Sequence, residues 1–278
     1  MTAEGLILHI LGTGGGRHVM ISQRRRTAGL RLVQGDTHVH IDPGPGGLVF
    51  SNWANLSTQK LSCLIITHCH PDHYSDAEVF IEAMTRGTTA KQGILAGTKS
   101  VIRGANGIGP CISNYHKNLV RELIELREGI KFDVGDMRIT ATKAEHSDPF
   151  SVGLRIETPF GDVGYTSDTG YFPGLSDSYR NLELLLLCTM WPRGNRLNIH
   201  LNTDDALKLI MESQPKVCLM THFGMRMLNA DPEKEAEFLA SETGIPVYAA
   251  ADGLQISLGD QIILQGPRKK DAPIIIEK

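Results

Sequence analysis

Three imidazoles and one carboxylate fall within six positions of this 278-residue chain, in the run Thr67-His68-Cys69-His70-Pro71-Asp72-His73. Neutral imidazole nitrogens and carboxylate oxygens are the ligand set of zinc, iron or manganese, and four such groups can serve two adjacent ions. The apolar run 61–66 leads straight into the cluster, so a strand is expected to end where the polar residues begin. On an extended segment His68, His70 and Asp72 project to one side. Pro71 and a helix start near Ser75 then force a turn that brings His73 round. Two divalent ions held in this way would lower the pKa of a shared water towards neutrality, supplying hydroxide without a strong side-chain base.

Further ligand types recur in the same local context. His146 follows a predicted strand at 138–142, Asp168 one at 162–166 and His222 one at 217–221, each with Gly, Pro, Ser or Asp close behind. Strand ends on one rim of a sheet can converge on a single site, and loops there usually carry function.

The elements that must position these groups are short. Apolar runs punctuated by Gly, Pro and Asp predict strands at 6–11, 29–33, 38–41, 61–67, 138–142, 152–158 and 162–166. The series continues at 184–188, 217–221, 247–250, 254–258 and 261–264. Helical periodicity predicts helices at 75–85, 203–213 and 232–243. Ser75 with Glu78 has the form of a capping box, Thr203 reads as an N-cap, and Asp231-Pro232 places a cap before an N1 proline. Early meanders and a later alternation of strands with helices suggest sheets sandwiched between helices. The stretch 87–118 is the least regular and suits a lid or a contact with a second copy, as in a homodimer. Residues 267–278 read as a C-terminal extension carrying Arg268-Lys269-Lys270.

Composition narrows the classes. Lys+Arg 28 against Asp+Glu 31 gives a net charge of −3, without the global basic field of a dedicated nucleic-acid binder. No apolar run approaches the roughly 20 residues of a bilayer span, and no basic-then-apolar leader opens the chain. A membrane partner is therefore not expected. Cys63, Cys69, Cys111, Cys188 and Cys218 form no C-x-x-C pair, which predicts free thiols and a reducing cytoplasm.

The weaker signals have ordinary readings. Gly12-Thr13-Gly14-Gly15-Gly16-Arg17 lacks the Gly-Lys-Ser/Thr ending of a phosphate loop and reads as a tight loop near the site. His38 and His40 alternate with Val39 and Ile41 as on an edge or half-exposed strand, and alternation turns Cys69 away from its histidine neighbours. Arg24-Arg25-Arg26 reads as an exposed loop. Trp53 and Trp191 read as packing residues, with Trp191-Pro192-Arg193 a candidate border of the cleft.

The ordered set His68-x-His70-x-Asp72-His73, His146, Asp168, His222 resembles the metallo-β-lactamase-fold hydrolases. The likeness extends from Leu8-His9-Ile10-Leu11-Gly12-Thr13-Gly14 through Ile41-Asp42-Pro43-Gly44 to Thr221-His222-Phe223-Gly224. An aspartate at 168, where some branches have cysteine, is similar to the phosphodiesterase and transfer-RNA 3′-processing ribonuclease branches. The resemblance implies an α+β fold, a four-layer αββα sandwich, built as one domain over 1–278. It implies two divalent metal ions, zinc first, with iron or manganese as alternatives. His68, His70 and His146 would hold one ion, Asp72, His73 and His222 the other, and Asp168 would bridge them. Asp72 and Asp168 would thereby also take part in catalysis, and Asp42 would support a ligand histidine, although a plain turn carboxylate is an equal reading. His200, in His200-Leu201-Asn202-Thr203, resembles the extra histidine of the transfer-RNA processing enzymes. It reads equally as a general acid or charge stabiliser and as a loop histidine before a helix. Pro71 stands where relatives often have glycine, and neither a Gly/Pro-rich substrate arm nor a long inserted domain is recognisable.

The leading expectation is a cytoplasmic, metal-dependent hydrolase of a phosphodiester, either RNA or a small nucleotide or cyclic diester. A carboxyl-ester, lactone or thioester hydrolase is the alternative, and an apolar pocket without cationic groups would mark it. A metal- or ligand-binding protein with little catalysis is the third reading.

Overall fold

The computed structural model describes residues 5–195, 197–267 and 272–278. The chain divides into two compact units, Met1–Gly12 with Arg26–Leu126 and Ala251–Lys278, and Thr13–Arg25 with Arg127–Ala250. In chain order the strands are β1 (Leu6–Ile10), β2 (Leu30–Gln34), β3 (Thr37–Ile41), β4 (Cys63–Ile66), β5 (Ile94–Thr98) and β6 (Glu122–Leu126). There follow β7 (Lys131–Val134), β8 (Met137–Lys143), β9 (Val152–Glu157), β10 (Val163–Tyr165), β11 (Leu184–Trp191) and β12 (Leu201–Asn202). The last are β13 (Val217–Thr221), β14 (Val247–Ala249), β15 (Gln255–Leu258), β16 (Gln261–Gln265) and β17 (Ile274–Glu277).

The first unit holds a nine-stranded sheet in the order β17-β16-β15-β1-β2-β3-β4-β5-β6. Strand alternation gives it a largely apolar face, where Leu6, Leu8, Ile10, Leu32, Val39, Ile41, Ile256 and Leu258 are all buried. The opposite face is covered in part by the helix Ala77–Met84, whose Phe80, Ile81 and Met84 pack with Leu64, Ile66, Leu95 and Val101. His40 of β3 lies under this helix. His38 and His40 were expected on an edge or half-exposed strand, yet β3 sits between β2 and β4, and His40 is 0% exposed with its ring 4.3 Å from that of Phe80. Local alternation encodes which face a residue takes, and the position of a strand within its sheet lies outside that pattern.

The stretch 87–118 contains β5, buried along its whole length, and the helices Lys99–Ile102 and Asn114–Leu119. Its apolar run, Ile94-Leu95-Ala96, is too short to show periodicity between flanking Gly, Thr and Lys. Cys69 does point away from its histidine neighbours, into the Phe80 cluster, but it is joined there to Cys111 by a disulfide. The expectation of free thiols holds for Cys63, Cys188 and Cys218. Helix starts also differ. Pro71–Tyr74 forms its own turn, with Ser75 donating its hydroxyl to the Pro71 carbonyl at 2.6 Å, so Ser75 caps nothing and the next helix begins at Ala77. Trp53 is 69% exposed and stacks edge-on against Phe50 instead of packing in a core. Ile274–Glu277 pairs antiparallel with β16 as the last strand of the sheet, while the Arg268-Lys269-Lys270 triplet lies outside the described residues.

The second unit carries an eight-stranded sheet, β14-β13-β11-β10-β9-β8-β7, with β12 paired to β11. Strands β10, β11, β13 and β14 run parallel, and two antiparallel steps through β9 bring β8 into the same direction. The helices Thr203–Ser213 and Pro232–Thr243 cover one face, burying Leu209, Ile210 and Leu239 against Leu185, Leu187, Cys218 and Met220. The helix at 203 is capped by Asn202, whose side chain accepts from the Asp205 amide at 2.8 Å, one residue before the expected Thr203. Among the described residues no helix is long and apolar enough to cross a membrane.

Candidate metal centre

In the first unit the ligand-type residues are set by the end of β4 and the turn after it. Thr67 leaves the strand, His68 is fully buried, and His70 occupies the N-cap of the short helix that carries Asp72 and His73. His68 Nε2 and His70 Nδ1 approach to 3.0 Å, and the His68 and His73 rings lie 4.1 Å apart. His73 Nε2 is 3.7 Å from the Asp72 carboxylate. The expected one-sided projection of His68, His70 and Asp72 is therefore replaced by a strand-to-helix bend, and all four side chains are still brought together.

Asp42 organises this cluster. It follows β3 with a φ of 56°, a left-handed conformation that L side chains seldom adopt outside constrained sites. Its carboxylate accepts the Thr67 amide and the Thr67 hydroxyl, each at 2.8 Å, and takes His73 Nδ1 at 2.9 Å. A carboxylate only accepts, so Nδ1 carries the proton and the lone pair of His73 is placed on Nε2.

In the second unit His146, Asp168 and His222 follow the carboxyl ends of β8, β10 and β13, strands that share one direction. One edge of the sheet thus presents all three. Asp168 is 2% exposed and lies 3.1 Å from His222 Nε2, 3.7 Å from His146 Nε2 and 3.7 Å from His200 Nδ1. Asp168, His200 and His222 each offer a ligand atom within 4.8 Å of the others. His200 is half-buried and its ring lies 4.8 Å from that of His146, so the loop before the helix brings it to the cluster.

The backbone holds these groups in fixed poses. His146 Nδ1 donates to the Ile199 carbonyl at 2.8 Å, which leaves its lone pair on Nε2. Gly170 donates to the Glu145 carbonyl and Thr169 accepts the Glu145 amide, tying the loops that carry His146 and Asp168 together. His222 has a φ of 58° and Ser167, beside Asp168, one of 51°. Three left-handed non-glycine residues at or beside the clusters are strain that the packing must hold in place, at about 1–2 kcal/mol each. Gly15 lies against the His222 imidazole, where a Cβ would overlap the ring. The glycine-rich loop is therefore a close-packed support for His222, as a tight loop near the site should be.

A family model described as the β-lactamase superfamily domain matches residues 37–223, two thirds of the chain. The chain belongs to the metallo-β-lactamase superfamily. An uncharacterized protein of Methanocaldococcus jannaschii is 38% identical over 250 residues, covering 89% of this chain and 93% of that protein. A ribonuclease Z of Methanopyrus kandleri is 27% identical over 180 residues, 65% of this chain and 60% of its own length. Among solved structures, the metallo-β-lactamase fold protein YhfI of Bacillus subtilis superposes with a TM-score of 0.76 at 20% identity, covering 91% of this chain and 99% of that one. The fold is thus the α+β αββα class expected from the ordered motifs, in a superfamily made up mostly of hydrolases.

The residues that support this cluster carry less signal in the sequence than the candidate ligands do. Thr67 and Ile199 do not stand out, since a hydroxyl after a strand and a backbone carbonyl carry no type signal. The left-handed residues were equally silent, because Asp, Ser and His occur in every loop.

Proposed function

We propose that this superfamily member is a metal-dependent hydrolase of a phosphodiester, with RNA or a small nucleotide diester as substrate and both units acting as one domain. The observation that carries the reading is the chemistry of the donor set. It consists only of nitrogen and oxygen ligands, and His73 and His146 are each locked with the lone pair on Nε2 by an acceptor at Nδ1. Such a set fits zinc, iron or manganese. His68, His70 and His146 would hold one ion and Asp72, His73 and His222 the other, with Asp168 shared. When bound, divalent ions supply Lewis acidity, lowering the pKa of a coordinated water and neutralising charge that builds on the attacked phosphate.

The chain's own residues do the rest. Asp42 and the Ile199 carbonyl keep two imidazoles in the tautomer that binds a cation. Asp168 accepts hydrogen bonds, so it can orient the attacking oxygen and take its proton. His200, half-buried and 3.7 Å from Asp168, is placed to donate a proton to the departing alkoxide or to steady its charge. The ribonuclease Z likeness supports a phosphodiester over a carboxyl ester.

The test joins elemental analysis of native protein to a panel of bis-aryl phosphate, cyclic nucleotides, precursor transfer RNA, lactones and thioesters. Two ions per chain and turnover of a diester are expected, with His68→Ala losing one ion and most turnover. A His68→Ala protein with both ions and full rate overturns the ligand assignment. Cleavage of lactones or thioesters alone assigns the carboxyl-ester chemistry instead. Rates equal to a metal-stripped control on every substrate assign a binding protein.

A further inference from the structure

A cavity of about 440 Å³ opens in the second unit beside the backbone that carries His222. Its walls include Gly15, which packs against the His222 ring, and Gly224, two residues past it. The volume is that of a small-molecule site. Two thioethers, Met190 and Met225, and the indole of Trp191 form its apolar lining, and Arg226 joins them. Arg226 is not a loose surface cation. Its guanidinium lies 4.9 Å from the centre of the Trp191 ring and its Nη1 donates to Asn195 Oδ1 at 3.0 Å. Arg17 also lines the cavity, and among the described residues no acidic side chain does.

Each feature selects for part of one ligand. Thioethers and an indole are flat or polarisable surfaces that favour an aromatic ring. A guanidinium already braced on an indole offers a second planar face, on which a base can stack with little ordering cost. Arginines without a carboxylate among them favour an anionic tether. A carboxyl-ester pocket would need the apolar lining and gain nothing from the arginines.

We propose that this cavity is a nucleobase subsite, in which Trp191 and Arg226 position the base of the nucleotide bearing the scissile phosphate. The inference rests on the phosphodiester reading above and names its substrate class. The ligand chemistry, a base linked to phosphate, is shared by free nucleotides and by the end of an RNA chain.

Trp53→Phe leaves Trp191 as the one indole of a chain with two tryptophans, and Trp53 is exposed enough to tolerate the change. Metal-loaded protein of this variant is titrated with adenosine and uridine 5′-monophosphates, a short oligoribonucleotide, ribose 5-phosphate and inorganic phosphate, following Trp191 fluorescence. Saturable quenching by the nucleoside monophosphates or the oligoribonucleotide, and none by ribose 5-phosphate, is expected. Tighter binding of the oligoribonucleotide than of either monophosphate assigns RNA as the source, and the reverse assigns free nucleotides. Arg226→Ala, at an exposed position, should weaken nucleotide binding about fivefold. It should also lower the ratio of kcat/KM for thymidine 5′-(4-nitrophenyl) phosphate over methyl 4-nitrophenyl phosphate by a similar factor. Equal quenching by ribose 5-phosphate, or a binding constant and ratio unmoved in Arg226→Ala, overturns the subsite. Base-dependent quenching without turnover of either diester refutes the phosphodiester reading and leaves a nucleotide-binding cavity.

Discussion

Replacing Asp42 by Asn removes one negative charge from a buried junction while keeping its shape, so the change tests what the carboxylate contributes as an acceptor. Three donors converge on it: the Thr67 amide, the Thr67 hydroxyl and His73 Nδ1, at 2.8, 2.8 and 2.9 Å. An asparagine oxygen can keep the Thr67 amide, but its NH2 then faces His73. That contact survives only if His73 moves its proton from Nδ1 to Nε2, which removes the lone pair from the nitrogen meant for a cation. Turning the amide over restores His73 and sets an N–H against the Thr67 N–H instead. Unless His73 changes tautomer, one buried hydrogen bond is lost, a cost of about 1–3 kcal/mol, or roughly five- to 150-fold in an equilibrium. Loss of comparable support beside a ligand typically weakens metal affinity by about 10–100-fold. Competition titration against a chromogenic chelator should therefore show the ion assigned to Asp72, His73 and His222 weakened about 10–100-fold in Asp42→Asn. The other ion should shift far less. Two ions bound with unchanged affinity by a folded Asp42→Asn protein would refute the tautomer argument and the place of His73 in the ligand set.

Three further outcomes follow from the first unit. Arg31 is fully buried in β2 with both terminal nitrogens lacking hydrogen-bond partners, and burial lowers its pKa to about 9. Arg31→Met should raise the free energy of urea unfolding by about 1–4 kcal/mol, and a loss of stability would show that the guanidinium is compensated. His9 is held down to about 4 by burial, then by Arg31 and His38. Unfolded chains therefore take up its proton near pH 6.5 and the folded protein only near 4, so stability is full above 6.5 and falls as pH drops between those values. The ceiling is about 3 kcal/mol, and metal-free His9→Gln should show a shallower decline across that window unless the histidine is solvated. The Cys69–Cys111 bridge spans a separation of 42 residues. Closing a loop of that size is worth about 4 kcal/mol at most, so Cys111→Ser should unfold at lower urea, and an unchanged midpoint would mean the thiols are apart in solution.

The candidate ligand residues were legible because each is a polar, cation-binding type placed immediately after an apolar run. His146, Asp168 and His222 needed no tertiary information beyond the end of a strand, and parallel strands of one sheet then deliver them to one edge. His38 and His40 show the limit of the same reasoning. They alternate with Val39 and Ile41 as solvent-facing residues would, but His40 is roofed by a helix some 40 positions later, through Phe80. What buries a mid-strand polar residue is a non-local neighbour, so no window around the strand can report it. Cys69 and Cys111 fail for that reason too, since their pairing depends on the course of β5 and the loop after it, and β5 is too short to announce itself. Asp42 lies between the two cases. Its Asp-Pro-Gly context reads equally as a turn, and only the three donors converging on its carboxylate distinguish a support from a turn residue. Polar residues at strand ends are free to be exposed, so their clustering there demands a functional reason. A polar residue in mid-strand is tolerated only when the fold covers and partners it, and by that measure Arg31, whose Nε donates to His40 while both terminal nitrogens lack partners, is the largest debt in the first unit.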